Sequence, residues 1–393
     1  MILDGVRVVE LTAWVAGPAA AGVMADWGAD VVKVEPSSGD PQRAIFGAIG
    51  VRDQGSVPPF ELDNRGKRSV VLDLRDPAGQ EAMERLLAGA DVFVTNMRVA
   101  ALERLGLGPD GVRARHPTLI YGIITGYGLD GPDAHRPGYD VGAFWARSTL
   151  AASVVPRGEL PPAIRGGLGD HVTGMTLAGG ICGALFDRER TGRGHLVSTS
   201  LLRAGLYCAG WDLGVLLRLG KLQSTRPRTA APQPLVNCYA SADDHGFWLL
   251  GLEGDRHWPG LIAAIDRPDL AADERFADAR SRAANAAAVI AELDVAFATR
   301  SMAEWAARFD THDVWWAPIN TPSSALEDPQ VAASGAFVEM TTPDGAERYR
   351  AIASPVDIDR QPQRPGPSPA LGEHTAEVLT QLGYSAEEIA ARF

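Results

Sequence analysis

The sequence predicts an α/β protein: a large first domain built on a parallel sheet, followed by a smaller α+β domain. Three observations predict this. Short Val- and Ile-rich runs recur through the first half of the chain, Ala-rich helical stretches separate them, and Pro-rich passages set off the second half.

The first strand, at Val6 to Leu11, leads into the loop Thr12-Ala13-Trp14-Val15-Ala16-Gly17-Pro18, then an Ala-rich helix to Trp27, with Gly28 as its breaker and a strand from Val31 to Glu35. This is a βαβ unit. A second unit runs from a strand at Ser69 to Leu74, through Asp76 as N-cap and Pro77 at the first helical position, to Ala88, Gly89 and a strand at Asp91 to Thr95. Thr118 to Thr125 reads as a third strand of this type. Strands rich in branched apolar residues, alternating with helices, imply a sheet covered on both faces, with ligands beyond the carboxyl ends of its strands. The loops at 12–18, at Arg75 and at 96–98 therefore share one rim. Farther on, Gly166-Gly167-Leu168-Gly169-Asp170 opens an apolar helix through Thr176 to Phe186, and the turn Thr191-Gly192-Arg193-Gly194 precedes a strand at Leu196 to Ser200. On residue types alone, Asp170 reads as a helix N-cap.

The first domain is expected over residues 1–205, a linker over 206–234, the smaller domain over 235–320, and a linker plus C-terminal segment returning to the large domain over 321–393. Within the smaller domain Phe247 to Leu252 reads as a strand. Asn285 to Thr299 and Ser301 to Phe309 read as helices.

Composition narrows the function. The net charge of −12 and the lack of a Lys/Arg run disfavour nonspecific binding to nucleic acid or anionic lipid. An anionic ligand would need a local basic pocket. The three cysteines are widely spaced, which argues against a disulfide framework or thiolate metal site and for buried free thiols. The eight histidines form no H-x-x-x-H pair with a nearby carboxylate, so no metal is expected. The N-terminus has no room for a secretory signal, and no apolar run reaches the length of a membrane span, so a cytoplasmic address is expected. A nicotinamide dehydrogenase would explain the βαβ start, but the loop after the first strand lacks G-x-G-x-x-G.

A series of segments carries a family resemblance. Asp4 to Leu11 leads to Ala16-Gly17-Pro18, and Gly28 to Glu35 comes next. Then come Asn64-Arg65-Gly66-Lys67-Arg68-Ser69, Asn96-Met97-Arg98, Leu102-Glu103-Arg104-Leu105-Gly106, Pro137-Gly138-Tyr139-Asp140, Gly169-Asp170 and Thr191-Gly192-Arg193-Gly194. Trp258, Ala317-Pro318 and Leu371-Gly372-Glu373-His374-Thr375 extend the series nearly to the end. Together they resemble the class III (CaiB/BaiF-type) coenzyme A transferases.

The resemblance implies a Rossmann-like large domain, an interlocked and obligate homodimer, and exchange of CoA between an acyl-CoA and a carboxylic acid, with CoA as substrate and no cofactor. It places the nucleophile at Asp170. It places CoA against Val15, Ala16, Leu72, Arg75, Asn96, Met97, Arg98, Arg104, Tyr139 and Asp140, where the three arginines suit phosphate.

Two departures bear on the reaction. Related 2-methylacyl-CoA racemases carry a catalytic His where this chain has Tyr139, a poor base at neutral pH. The formyl-CoA:oxalate branch inserts a Gly-rich loop for which there is no room between Pro234 and Phe247, which argues against oxalate. A racemase or a noncatalytic acyl-CoA binder is the alternative. His171, one position along the helix from Asp170, is expected to be structural.

Overall fold

The computed structural model describes residues 1–51, 55–342, 345–361, 363 and 365–393. Six strands form one sheet: β1 (Arg7–Leu11), β2 (Asp30–Glu35), β3 (Arg68–Val71), β4 (Val92–Thr95), β5 (Ile120–Thr125) and β6 (Leu196–Ser200). Every pairing is parallel, and the order is β3-β2-β1-β4-β5-β6. Strand order reverses between β1 and β4, which opens a crevice beyond their carboxyl ends. The loops after Leu11 and Thr95 border that crevice.

Two helices frame its floor. Helix α1 (Ala16–Asp26) is built almost wholly of small residues, and it packs between the helix Pro58–Asn64 and the 24-residue helix Leu168–Thr191. Glycines permit both approaches. A Cβ on Gly22 would lie 2.6 Å from the Asp63 carbonyl oxygen, and one on Gly174 would lie 2.7 Å from that of Ala16. At its outer edge, β3 donates from Ser69 N to His374 Nδ1 (3.3 Å) and from Val71 N to Thr375 Oγ1 (3.0 Å). The last part of the chain thus covers an edge that would otherwise offer free N–H groups.

The chain divides into two compact units, one comprising Met1–Ala152, Pro161–Leu222 and Gly335–Phe393, the other Ser153–Leu160 and Gln223–Ser334. In the second, a small antiparallel sheet (Cys238–Ala240, Gly246–Leu249, Trp316–Pro318) backs helices whose interior is aromatic. Phe297 meets Phe247 and Trp305 edge-on, with ring centroids 4.9 and 5.4 Å apart.

Several expectations need correction. The end of helix Leu201–Cys208 and the whole of helix Gly210–Leu219 fall within the stretch read as a linker, and Phe337–Thr341 pairs with Arg348–Ile352 in a hairpin inside the stretch expected to be linker and C-terminal segment. Cys208 is exposed, and Cys182 and Cys238 are half-buried, so the thiols are not uniformly inside. Among the described residues no helix is long and apolar enough to cross a membrane, and no group of His, Cys, Asp or Glu is placed to hold a metal.

Candidate active site

The loop after β1 is held from three sides. Asn96, at the end of β4, clamps Ala13: its Oδ1 accepts from Ala13 N (3.0 Å) and its Nδ2 donates to Ala13 O (2.7 Å). Trp14 has a left-handed backbone (φ 68°), which strains a bulky residue, and its N–H donates to Asp40 Oδ1 at 3.0 Å. Asp40 is in turn fixed by Lys33, whose Nζ lies 2.9 Å from both Asp40 Oδ2 and Glu10 Oε1. Lys67 Nζ completes the group, 2.6 Å from Glu10 Oε2 and donating to the Pro18 carbonyl at 2.9 Å. All four charged side chains are fully buried. Burial alone would neutralise them, yet the two lysines hold the Glu10 carboxyl below its usual range, and the facing carboxylates hold Lys33 above its own. Lys67, desolvated and beside Lys33, is lowered to about 8.

Asp170 lies beside this loop. The N-cap of its helix is Gly167, in a left-handed conformation (φ 84°), so Asp170 stands at the third helical position and is not the cap. The turn is pinned from the segment before it: Asp140 is buried, and its Oδ2 accepts from Gly167 N at 3.0 Å. Val15 approaches the same glycine, its Cγ1 lying 3.7 Å from where a Cβ on Gly167 would stand. Among the described residues no protein group hydrogen-bonds the Asp170 carboxylate. Burial and then the Asp140 charge push its pKa up to about 7, against the pull of His171. The orienting effect of a helix N-terminus favours the ionised form. The site therefore holds a carboxylate that is partly desolvated, uncommitted and preoriented.

His171, expected to be structural, has a buried partner. Its Nε2 lies 3.0 Å from Oδ1 of the buried Asp63, which raises the histidine's pKa. Gln42 Nε2 donates to the other Asp63 oxygen at 3.3 Å. Nothing in the sequence near position 171 points to this partner, which comes from the helix packed on α1.

The expected CoA contacts fall into distinct settings. Val15, Asn96 and Met97 are half-buried at the crevice. Ala16 and Leu72 are buried. Tyr139 is exposed and meets Trp14 edge-on, centroids 6.1 Å apart. Asp140 has both oxygens engaged by backbone N–H groups, from Gly167 and from Val141. Arg75 is bonded twice to Asp73 and points into solvent. Arg98 and Arg104, at the two ends of the short helix after β4, are exposed and make no ion pair among the described residues.

A strained loop at the crevice of a parallel sheet, a carboxylate without a hydrogen-bond partner at a helix start and two arginines without ion pairs after β4 make up the candidate site among the described residues. The profile of CoA-transferase family III matches residues 3–375, and the chain belongs to that family. It is 33% identical to (R)-2-hydroxy-4-methylpentanoate CoA-transferase of Clostridioides difficile, over 99% of this chain and 97% of that protein. It is also 33% identical to cinnamoyl-CoA:phenyllactate CoA-transferase of Clostridium sporogenes, over 99% and 95%. A crystal structure of a CaiB/BaiF family protein from Brucella suis superposes with a TM-score of 0.84 at 31% identity, covering 97% of this chain and 99% of that one. The chain is accordingly an enzyme of the CoA-transferase class.

Proposed function

We propose that this enzyme moves CoA between carboxylic acids through covalent intermediates on Asp170. The carboxylate attacks the thioester carbonyl of an acyl-CoA and expels CoA thiolate, which leaves an aspartyl anhydride. The thiolate then attacks the aspartyl carbonyl, releasing the donor acid and forming an aspartyl-CoA thioester. The acceptor carboxylate reverses both steps: it displaces the thiolate to give a second anhydride, and the thiolate takes the new acyl group and frees Asp170. No proton is gained or lost overall, and the thioester energy is retained. One observation carries the reading: Asp170 is a half-buried carboxylate at a helix start with no hydrogen-bond partner among the described residues. A partly buried carboxylate that no protein group holds is free to meet a substrate carbonyl.

CoA is proposed to lie along Val15, Ala16, Leu72, Asn96, Met97, Tyr139 and Asp140, with Arg98 and Arg104 on its phosphates. Arg75 joins them only by leaving Asp73, which makes it the weaker contributor. A functional homodimer is supported by exposed apolar side chains: Tyr207 (88% exposed), Trp211 (86%) and Leu217 (84%) on the helices Leu201–Cys208 and Gly210–Leu219. Racemisation is not favoured: Tyr139 is exposed and, among the described residues, hydrogen-bonds no basic group.

The test is to incubate the enzyme with 2-hydroxy-4-methylpentanoyl-CoA, cinnamoyl-CoA and succinyl-CoA, esters suggested by the relatives' names, then treat it with hydroxylamine and map the modified residue by mass spectrometry. Modification at Asp170 is expected. A modification elsewhere, or none with turnover intact, overturns the assignment.

A further inference from the structure

The left-handed backbone of Trp14 (φ 68°) belongs to a region that favours glycine, asparagine and aspartate, and among the described residues Trp14 is the only aromatic one so placed. Relaxation is prevented from both sides. Asn96 clamps the two main-chain groups of Ala13, and Asp40, itself fixed by Lys33, accepts from Trp14 N. The strain leaves a ring at the surface: the indole is 37% exposed and meets Tyr139, 61% exposed, edge-on. Such strain persists only where the surroundings over-determine it, and it collects where a displayed group is used.

Both rings border the turn that carries Asp170. Trp14 is followed by Val15, whose Cγ1 lies 3.7 Å from where a Cβ on Gly167 would stand, and Tyr139 is followed by Asp140, whose Oδ2 accepts from Gly167 N at 3.0 Å. Leu168, 53% exposed, opens the helix two residues before Asp170. This border is apolar, and the loop 12–18 brings no charge to it. Of the cations nearby, Lys67 is buried on Glu10, and His171 is engaged by Asp63 and by the main chain of Gly167. Arg165, exposed in the segment that leads into the turn, is a cation that a carboxylate could seek.

We propose that Trp14 and Tyr139 form the wall on which the acyl chain of the thioester lies, and that the enzyme thereby selects apolar acyl groups, flat aromatic ones above all, over dicarboxylic ones. This rests on the reading of Asp170 as nucleophile and names the class of substrate that reaches it. Val15 and Tyr139, set along CoA above, then mark where the carrier ends and the acyl chain begins. An aromatic chain laid against the indole and the phenol gains buried area and an edge or offset ring contact. A terminal carboxylate in the same place loses hydration without gaining a partner on the wall, and it meets the charges of Asp63 and Asp140 that already act on Asp170.

The experiment measures exchange of isotopically labelled cinnamate into cinnamoyl-CoA and of labelled succinate into succinyl-CoA, with the ratio of the two kcat/KM values as its readout. Both values come from one preparation, so a loss of folded enzyme cancels. Wild-type enzyme is expected to favour cinnamoyl-CoA at least about tenfold, as for burial of one ring. Trp14→Gly, which removes the ring and suits the left-handed backbone, and Tyr139→Ala should each lower the ratio by about fivefold or more, whereas Trp14→Phe should keep most of it. Arg165→Ala should leave it within about twofold. Wild-type enzyme that does not favour cinnamoyl-CoA overturns the proposal, and so does a ratio that moves with Arg165 and not with the rings. Hydroxylamine mapping on wild-type enzyme keeps the two readings apart: adduct on Asp170 with a ratio unmoved by loss of either ring overturns the wall alone, whereas turnover with no adduct on Asp170 overturns the nucleophile.

Discussion

The two units bury different chemistry. In the sheet-containing unit, Glu10, Lys33, Glu35, Asp40, Asp63, Arg65, Lys67 and Asp140 are all buried, most of them around the loop after β1. In the other unit, Arg282 and His257 are the buried basic side chains and no acidic one is buried among the described residues, and the interior is a cluster of Phe, Trp and Tyr rings. Both interiors are closed, but they specify different things. Aromatic packing rewards any arrangement that fills space and so secures a fold. Buried ion pairs reward one geometry only, because each charge is costly unless its partner is in place. Charge is concentrated where a strained main chain must be held, at Trp14 and its neighbours.

The largest test of that contrast removes function without touching either interior. Asp170→Ala should lower transfer by at least about 10³-fold in steady-state assays, while CoA titration by calorimetry stays near wild type. Unchanged turnover would break the assignment of the site. Next, Glu10→Gln leaves Lys33 and Lys67 facing each other in the interior and should lose about 3–5 kcal/mol in denaturant unfolding, with a raised KM for acyl-CoA because the loop loosens. If stability falls and the KM does not, the ion group serves folding alone. In the aromatic unit Phe297→Leu should lose less than about 1.5 kcal/mol, with transfer per folded molecule retained. A smaller effect concerns pH. The folded-state pKa of Asp170 is raised from 3.8 to about 7, so the fold binds this proton more tightly than the unfolded chain does. The destabilisation is absent below the lower value, grows as pH rises between the two and is complete above the higher one. Asp170→Asn should therefore raise the melting temperature by a few degrees at about pH 8 and leave it unchanged at about pH 3.

Much of this layout is legible from residue types. Val and Ile runs with Gly and Pro punctuation point to β1, β2, β4 and β5, and the glycines before Asp170 locate its helix start. The partner of His171 is not legible, since it lies 108 residues away on a two-turn helix opened by Pro58 and Pro59, where no periodicity can develop. The ion group left a trace that could be used. Glu10 and Lys33 interrupt apolar strands of a sheet covered on both faces, where a charge must find a counter-charge. The hairpin at Phe337–Thr341 also left one, in its alternation of buried and exposed residues, but Pro-rich flanks masked it.

The cover on β3 has a consequence for biosynthesis. Val71 waits for Thr375, 304 residues later, before its N–H is satisfied. At a synthesis rate of about 5–20 residues per second, the nascent sheet stays open-edged for roughly 15–60 s. During that interval neighbouring chains on one polysome can pair edge to edge, and a ribosome that stalls late leaves a nearly complete molecule whose first domain is still adhesive.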